Sequence, residues 1–137
     1  MDQTMQSDGF TLSDARQANG FVFCSGQIGL AADGTVPAEP EQQFAAAFAA
    51  LAGVLRQNGC DLADVVDLTS FHVGYPAHMP AFMKAMGEAM PGVQTAWTAI
   101  GVAGLGYPGS LVEIKAIACP AQTAGAHTGS GEGPADA

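Results

Sequence analysis

Ala96-Trp97-Thr98-Ala99-Ile100-Gly101-Val102-Ala103-Gly104-Leu105, followed by Leu111-Val112-Glu113-Ile114-Lys115-Ala116-Ile117-Ala118, is the stretch that decides the fold. Both runs read as buried strands. Gly106-Tyr107-Pro108-Gly109 between them is turn chemistry, so the pair reads as a closing hairpin. Glu113 alternates with Val112 and Ile114 and so faces away from them.

Upstream of this pair, Val65 to Val73 reads as another strand. Roughly Met79 to Met90 reads as a helix with Phe82, Met83, Met86 and Met90 on one packed side. An earlier helix is predicted from about Glu41 to Gln57, with Phe44, Phe48, Leu51 and Leu55 on one face. Pro40 suits its start, and Asn58-Gly59 its end. Gly20 to Gly26 is a short strand, Asp33-Gly34 a turn, and Thr11 to Ala18 a first strand. The order β-β-α-β-α-β-β predicts an α+β domain: one mixed sheet with two helices on one face. The other sheet face must be hidden, so the chain is expected to oligomerise.

A length of 137 residues sets one domain with a sizeable core, and 48% apolar residues suit a globular chain. Residues 1–9 read as a flexible N-terminus, 10–119 as the folded domain, and 120–137 as a disordered tail poor in residues that could bury. No apolar run approaches the roughly 20 residues that span a bilayer, and the N-terminus lacks a signal pattern, so a cytoplasmic protein is expected. Cys24, Cys60 and Cys119 are widely spaced and form no CxxC pair. Neither a metal site nor a disulfide framework is expected. The net charge of −9, with only four cations, Arg16, Arg56, Lys84 and Lys115, disfavours nucleic-acid binding.

Three motifs in order resemble the Rid (RidA/YjgF) family. Ser25-Gly26-Gln27-Ile28 matches its Ser-Gly-Gln-Ile. Asn58-Gly59-Cys60-Asp61-Leu62-Ala63-Asp64-Val65-Val66 is similar to its linker into the third strand. The closing pair is similar to its Arg-Ser-x-Val-x-Val-x-x-Leu and Val-Glu-Ile-Glu-Ala-Ile-Ala. The resemblance covers about residues 10 to 119. It implies a chorismate-mutase-like fold and a homotrimer in which three sheets form a barrel with clefts between subunits. It implies no cofactor. It also implies hydrolysis of enamines and imines such as 2-aminoacrylate, with an arginine pairing the substrate carboxylate and a glutamate positioning water. The arginine position falls on Trp97, the glutamate on Glu113, a cleft tyrosine on Leu12, and a cleft asparagine near Lys84. Ala99 lies on the same strand as Trp97.

An indole offers one N–H donor and no charge, so the carboxylate clamp is expected to be absent. Trp97 reads either as an apolar wall of the cleft or as a core or interface residue. Glu113 reads either as a solvated strand glutamate or as the carboxylate that works on water. Lys84 is a solvated lysine unless the cleft reaches it. His72 reads as a packed, hydrogen-bonded histidine, and the three cysteines as small or inert fillers. Two functions follow. One is a hydrolase or deaminase-like enzyme acting at an intersubunit cleft on an enamine, imine or related carbonyl or amide, without a carboxylate–arginine pair. The other is a non-catalytic metabolite-binding or regulatory member. Both take a small-molecule ligand, not nucleic acid or membrane.

Overall fold

The computed structural model describes residues 4–7, as backbone, and 9–121. The strands are β1 (Thr4–Ser7), β2 (Phe10–Ser13), β3 (Ala15–Ala18), β4 (Phe21–Cys24), β5 (Val65–Val73), β6 (Ala96–Val102) and β7 (Val112–Ala118). The helices are α1 (Pro40–Gln57) and α2 (Met79–Ala89), and a short 3-10 turn at Leu62–Asp64 leads into β5. Five strands form one sheet in the order β3-β4-β7-β5-β6. β5 and β6 are parallel, and the other neighbours are antiparallel. This is the α+β architecture read from the sequence, a mixed sheet with its two helices in one layer.

Two local expectations need correction. The closing strands are not a hairpin, because β5 lies between β6 and β7 and bonds to both. The expected strand Thr11 to Ala18 is broken at Asp14. Its first half, β2, pairs back onto β1, and its second half, β3, pairs with β4. The corner is held by Ser25. Its backbone N–H donates to the Asp14 carbonyl at 2.7 Å, and its hydroxyl donates to the Ser13 carbonyl at 2.7 Å. Within the expected N-terminal lead, Thr4–Ser7 is therefore a paired strand. Nearly all of the expected tail, residues 122–137, lies outside the described residues.

Helix α1 forms where the periodicity places it. Pro40 sits in its first turn, where a missing N–H costs nothing. Gly59 ends it with φ +79, and the Cys60 N–H returns to the Leu55 carbonyl at 2.9 Å. Its stripe of Phe44, Phe48, Leu51 and Leu55 is buried against Val22, Leu68, Val112 and Ile114. In α2, Phe82 is fully buried between α1 and the sheet, with Phe44, Phe48, His72 and Trp97 around its ring. Met83 is not part of the packed stripe, since it is 54% exposed. Among the described residues no helix is long and apolar enough to cross a membrane.

Strand alternation splits the sheet cleanly. Val112, Ile114, Ala116 and Ala118 point to the helices, which leaves Glu113, Lys115 and Ile117 on the open face. Phe21, Phe23 and Ile100 join them there, each between 39% and 43% exposed. The uncovered face expected from the sequence is therefore present, and it is largely apolar.

Candidate functional site

The loop after β4 explains why Ser25-Gly26-Gln27-Ile28-Gly29 has its two glycines. Gln27 and Ile114 exchange backbone hydrogen bonds of 2.7 and 2.9 Å, which draws the loop onto β7. Gly26 then lies directly against the Glu113 side chain. A Cβ at Gly26 would collide with the Glu113 carboxylate oxygen and come within 2.6 Å of its Cδ. Gly29 lies against the backbone of α1. A Cβ there would meet the Gln43 carbonyl and approach the Ala47 nitrogen to 2.9 Å. One glycine makes room for a carboxylate, and the other for a helix.

The sheet's helix side holds a second polar arrangement. The Trp97 indole N–H donates to Ser70 Oγ at 2.9 Å, and His72 Nε2 lies 2.7 Å from the same oxygen. Ser70 is fully buried and His72 is 3% exposed. Phe82 stands edge-on to the His72 ring at 4.7 Å. Burial holds the His72 pKa below 6.5. The neutral imidazole can accept the Ser70 proton at Nε2 when its own proton sits on Nδ1. Ser70 and His72 share hydroxyl and imidazole chemistry with a nucleophile–base pair. A fully buried Oγ that also accepts from the indole is instead a structural joint. Sequence reasoning missed Ser70. Its signal was the two-residue spacing from His72 on one strand face.

The sequence-derived site residues divide between the two faces. Trp97 packs on Phe82 among the helix-side residues, and Ala99 follows it on the same side of β6. Lys84 is exposed on α2, in that same layer. Glu113 and Leu12 belong to the open face. Leu12 is 47% exposed and lines a groove of about 490 Å³ with Arg16, Phe23, Ser25 and Lys115. Within one chain, then, Trp97 and Glu113 do not face each other.

The two buried thiols are poor nucleophiles. Cys24 is 3% exposed, and burial, with Cys60 and Asp14 nearby, pushes its pKa up to about 11. Burial also raises Cys60, with smaller contributions from Asp64, Cys119 and Asp61. Among the described residues no group of three or more His, Cys, Asp or Glu side chains is arranged to hold a metal ion.

Residues 9–120 match the family described as Endoribonuclease L-PSP, and the chain is 36% identical over 107 residues to the RutC family protein YjgH of Escherichia coli (strain K12). The chain belongs to the YjgF/Rid family. The YjgH alignment covers 77% of this chain and 80% of the relative. Against the solved structure of YjgH the TM-score is 0.70, over 80% of this chain and 85% of that one. Against a Rid-family protein of Yersinia pestis described as YyfB, of unknown function, the identity is 31% and the TM-score 0.66, over 80% and 83% of the two chains. Membership of the YjgF/Rid family confirms the resemblance carried by the three motifs, and the structure supplies the physical reason for the first of them.

Proposed function

We propose that this chain is a Rid-type small-molecule hydrolase whose cleft forms between copies of the chain, a trimer being the expected assembly. Glu113 handles the attacking water, and Trp97 is an apolar wall where imine-hydrolysing relatives carry a carboxylate clamp. The preferred substrate is an enamine, imine, carbonyl or amide without a carboxylate at the reacting carbon.

The observation that carries this reading is the Trp97–Ser70 hydrogen bond of 2.9 Å. It uses the only donor of the indole, so Trp97 has none left for a ligand carboxylate. Two further observations support a site between copies. The open sheet face exposes Phe21, Phe23 and Ile100, which a solitary domain would leave in water. Trp97 and Glu113 also lie on opposite faces of one sheet, so only a second copy can bring the two surfaces together. The family description names an endoribonuclease, but a net charge of −9 works against a phosphate backbone.

The test compares wild type with Trp97→Arg on 2-aminoacrylate-type imines made in situ and on imines that carry no carboxylate at the reacting carbon. Wild type should prefer the compounds without the α-carboxylate, and Trp97→Arg should shift preference toward the α-imino acid. Equal, robust turnover of the α-imino acid by both proteins would overturn the reading.

A further inference from the structure

We infer that the open-face groove between β2, β3, β4 and β7 is an anion subsite, held by Lys115 and Arg16 beside Glu113. The inference rests on the proposed hydrolytic reading and narrows its substrate to an organic anion whose charge is remote from the reacting carbon.

The charge distribution points there. The chain has four cations against thirteen carboxylates. Arg56 is engaged with Asp61 at 2.9 Å, and Lys84 stands exposed on α2. The remaining two, Arg16 and Lys115, line the same groove of about 490 Å³. Among the described residues neither forms an ion pair, since the one salt bridge there is Arg56–Asp61. Two cations lining one groove in a chain of net charge −9 favour a local potential opposite to that of the whole molecule, which draws an anion to that groove.

The walls and the neighbours define the ligand further. Leu12 and Phe23 give the groove apolar sides, so it suits an anion with a hydrocarbon body. The Ser25 hydroxyl is already donated to the Ser13 carbonyl, so the charged donors fall to Lys115 and Arg16. Asp14, the carboxylate nearest Arg16 in sequence, lines a different groove and lies 3.5 Å from the Gln27 amide nitrogen. Glu113 precedes Lys115 by two residues on the same face of β7. Same-face neighbours on a strand are about 7 Å apart. Glu113 leans against Gly26 and does not line the groove, so an α-imino acid, with its carboxylate one bond from the reacting carbon, is a poor fit to both groups at once. A carbonyl or imine compound with its anionic group several bonds away can reach Lys115 and Glu113 together.

Binding is measured without turnover, by NMR titration of the full chain with hexanoate, acetate and inorganic phosphate at constant ionic strength, with chloride as the reference salt. Hexanoate should shift the Lys115, Leu12 and Phe23 resonances and bind more tightly than acetate. Lys115→Gln should weaken it by about tenfold, the scale of one charge-assisted hydrogen bond. Lys115→Arg should restore binding, and Arg56→Gln, which removes a charge outside the groove, should not change it. Sedimentation of each variant shows whether the assembly is kept. If Lys115→Gln disturbs assembly, the Arg16→Gln variant and the wild-type shift map decide the matter. Phosphate binding as tightly as hexanoate would overturn the organic-anion assignment. Hexanoate shifts elsewhere, or binding unaffected by both Gln variants, would overturn the subsite. Turnover without anion binding sinks this inference alone, and anion binding without any turnover sinks the hydrolytic reading alone.

Discussion

Trp97 donates its indole N–H to Ser70 Oγ at 2.9 Å, across from β6 to β5. The bond makes Trp97 part of the fold. Its ring lies 6.0 Å from Phe82, and the hydroxyl it uses is shared with His72. Replacing Ser70 by Ala removes at once the partner of the buried His72 ring and of the half-buried Trp97 indole. The expected cost is about 1–3 kcal/mol, the price of leaving such groups unsatisfied. Ser70→Thr keeps the oxygen and should recover most of it. Trp97 is the only tryptophan in the chain, so its fluorescence reports this site directly. Urea unfolding followed by Trp97 emission should show the Ala variant destabilised and its native spectrum shifted. An unshifted spectrum and unchanged midpoint would remove the bond from the account.

Period-two alternation placed Glu113 opposite Val112 and Ile114, and the structure agrees. The stripe of Phe44, Phe48, Leu51 and Leu55 likewise announced α1 and its buried face. Strand neighbours were not legible in the same way. β5 separates β6 from β7 because α2 carries the chain back to lie parallel to β5, and that choice belongs to tertiary packing. The pairing of Thr4–Ser7 was hidden because its polar residues carry no burial signal. Among site residues, Gly26 was visible only as a motif letter. Its reason, room for the Glu113 side chain, comes from contact between segments far apart in sequence.

Two glycine substitutions separate site from scaffold. In Gly26→Ala the new methyl meets the end of the Glu113 side chain, which can swing aside. Stability should change by less than about 1 kcal/mol, while any Glu113-dependent turnover drops. In Gly29→Ala the methyl meets the α1 backbone at Gln43 and Ala47. That backbone cannot rotate away, and overpacking of this kind costs about 1–3 kcal/mol. Thermal melts beside activity assays check the pair. A Gly26→Ala protein that melts as early as Gly29→Ala would show that Glu113 is locked in place by the fold.

His72 makes stability depend on pH with a defined sign. Burial lowers its folded pKa below the ordinary 6.5, so the unfolded chain takes up this proton first as pH falls. The contribution is fully present above 6.5 and is lost as pH drops through the folded value. Urea midpoints measured from about pH 7.5 down to about pH 5 should decline, with the slope set partly by this group. His72→Gln, which keeps hydrogen-bonding capacity toward Ser70 but does not titrate, should flatten that decline. Parallel slopes for the two proteins would show that burial does not perturb the imidazole.

Glu113 is the carboxylate to which the hydrolytic proposal assigns the water. It sits on the open face, against Gly26, with Phe71 opposite it on β5 and Lys115 two residues further along β7. Glu113→Gln keeps the side chain's length and its fit beside Gly26 while removing the proton acceptor. Turnover of a true substrate should fall by about 10²–10⁴-fold, the scale of a general acid or base. The melting temperature and sedimentation should stay nearly unchanged, because no protein hydrogen bond or ion pair to this carboxylate is present among the described residues. Hexanoate binding at Lys115 should also survive, because the charged donors remain. Full turnover by Glu113→Gln would move the chemistry to another group. Dissociation of the assembly would make Glu113 an interface residue and leave the water without its base.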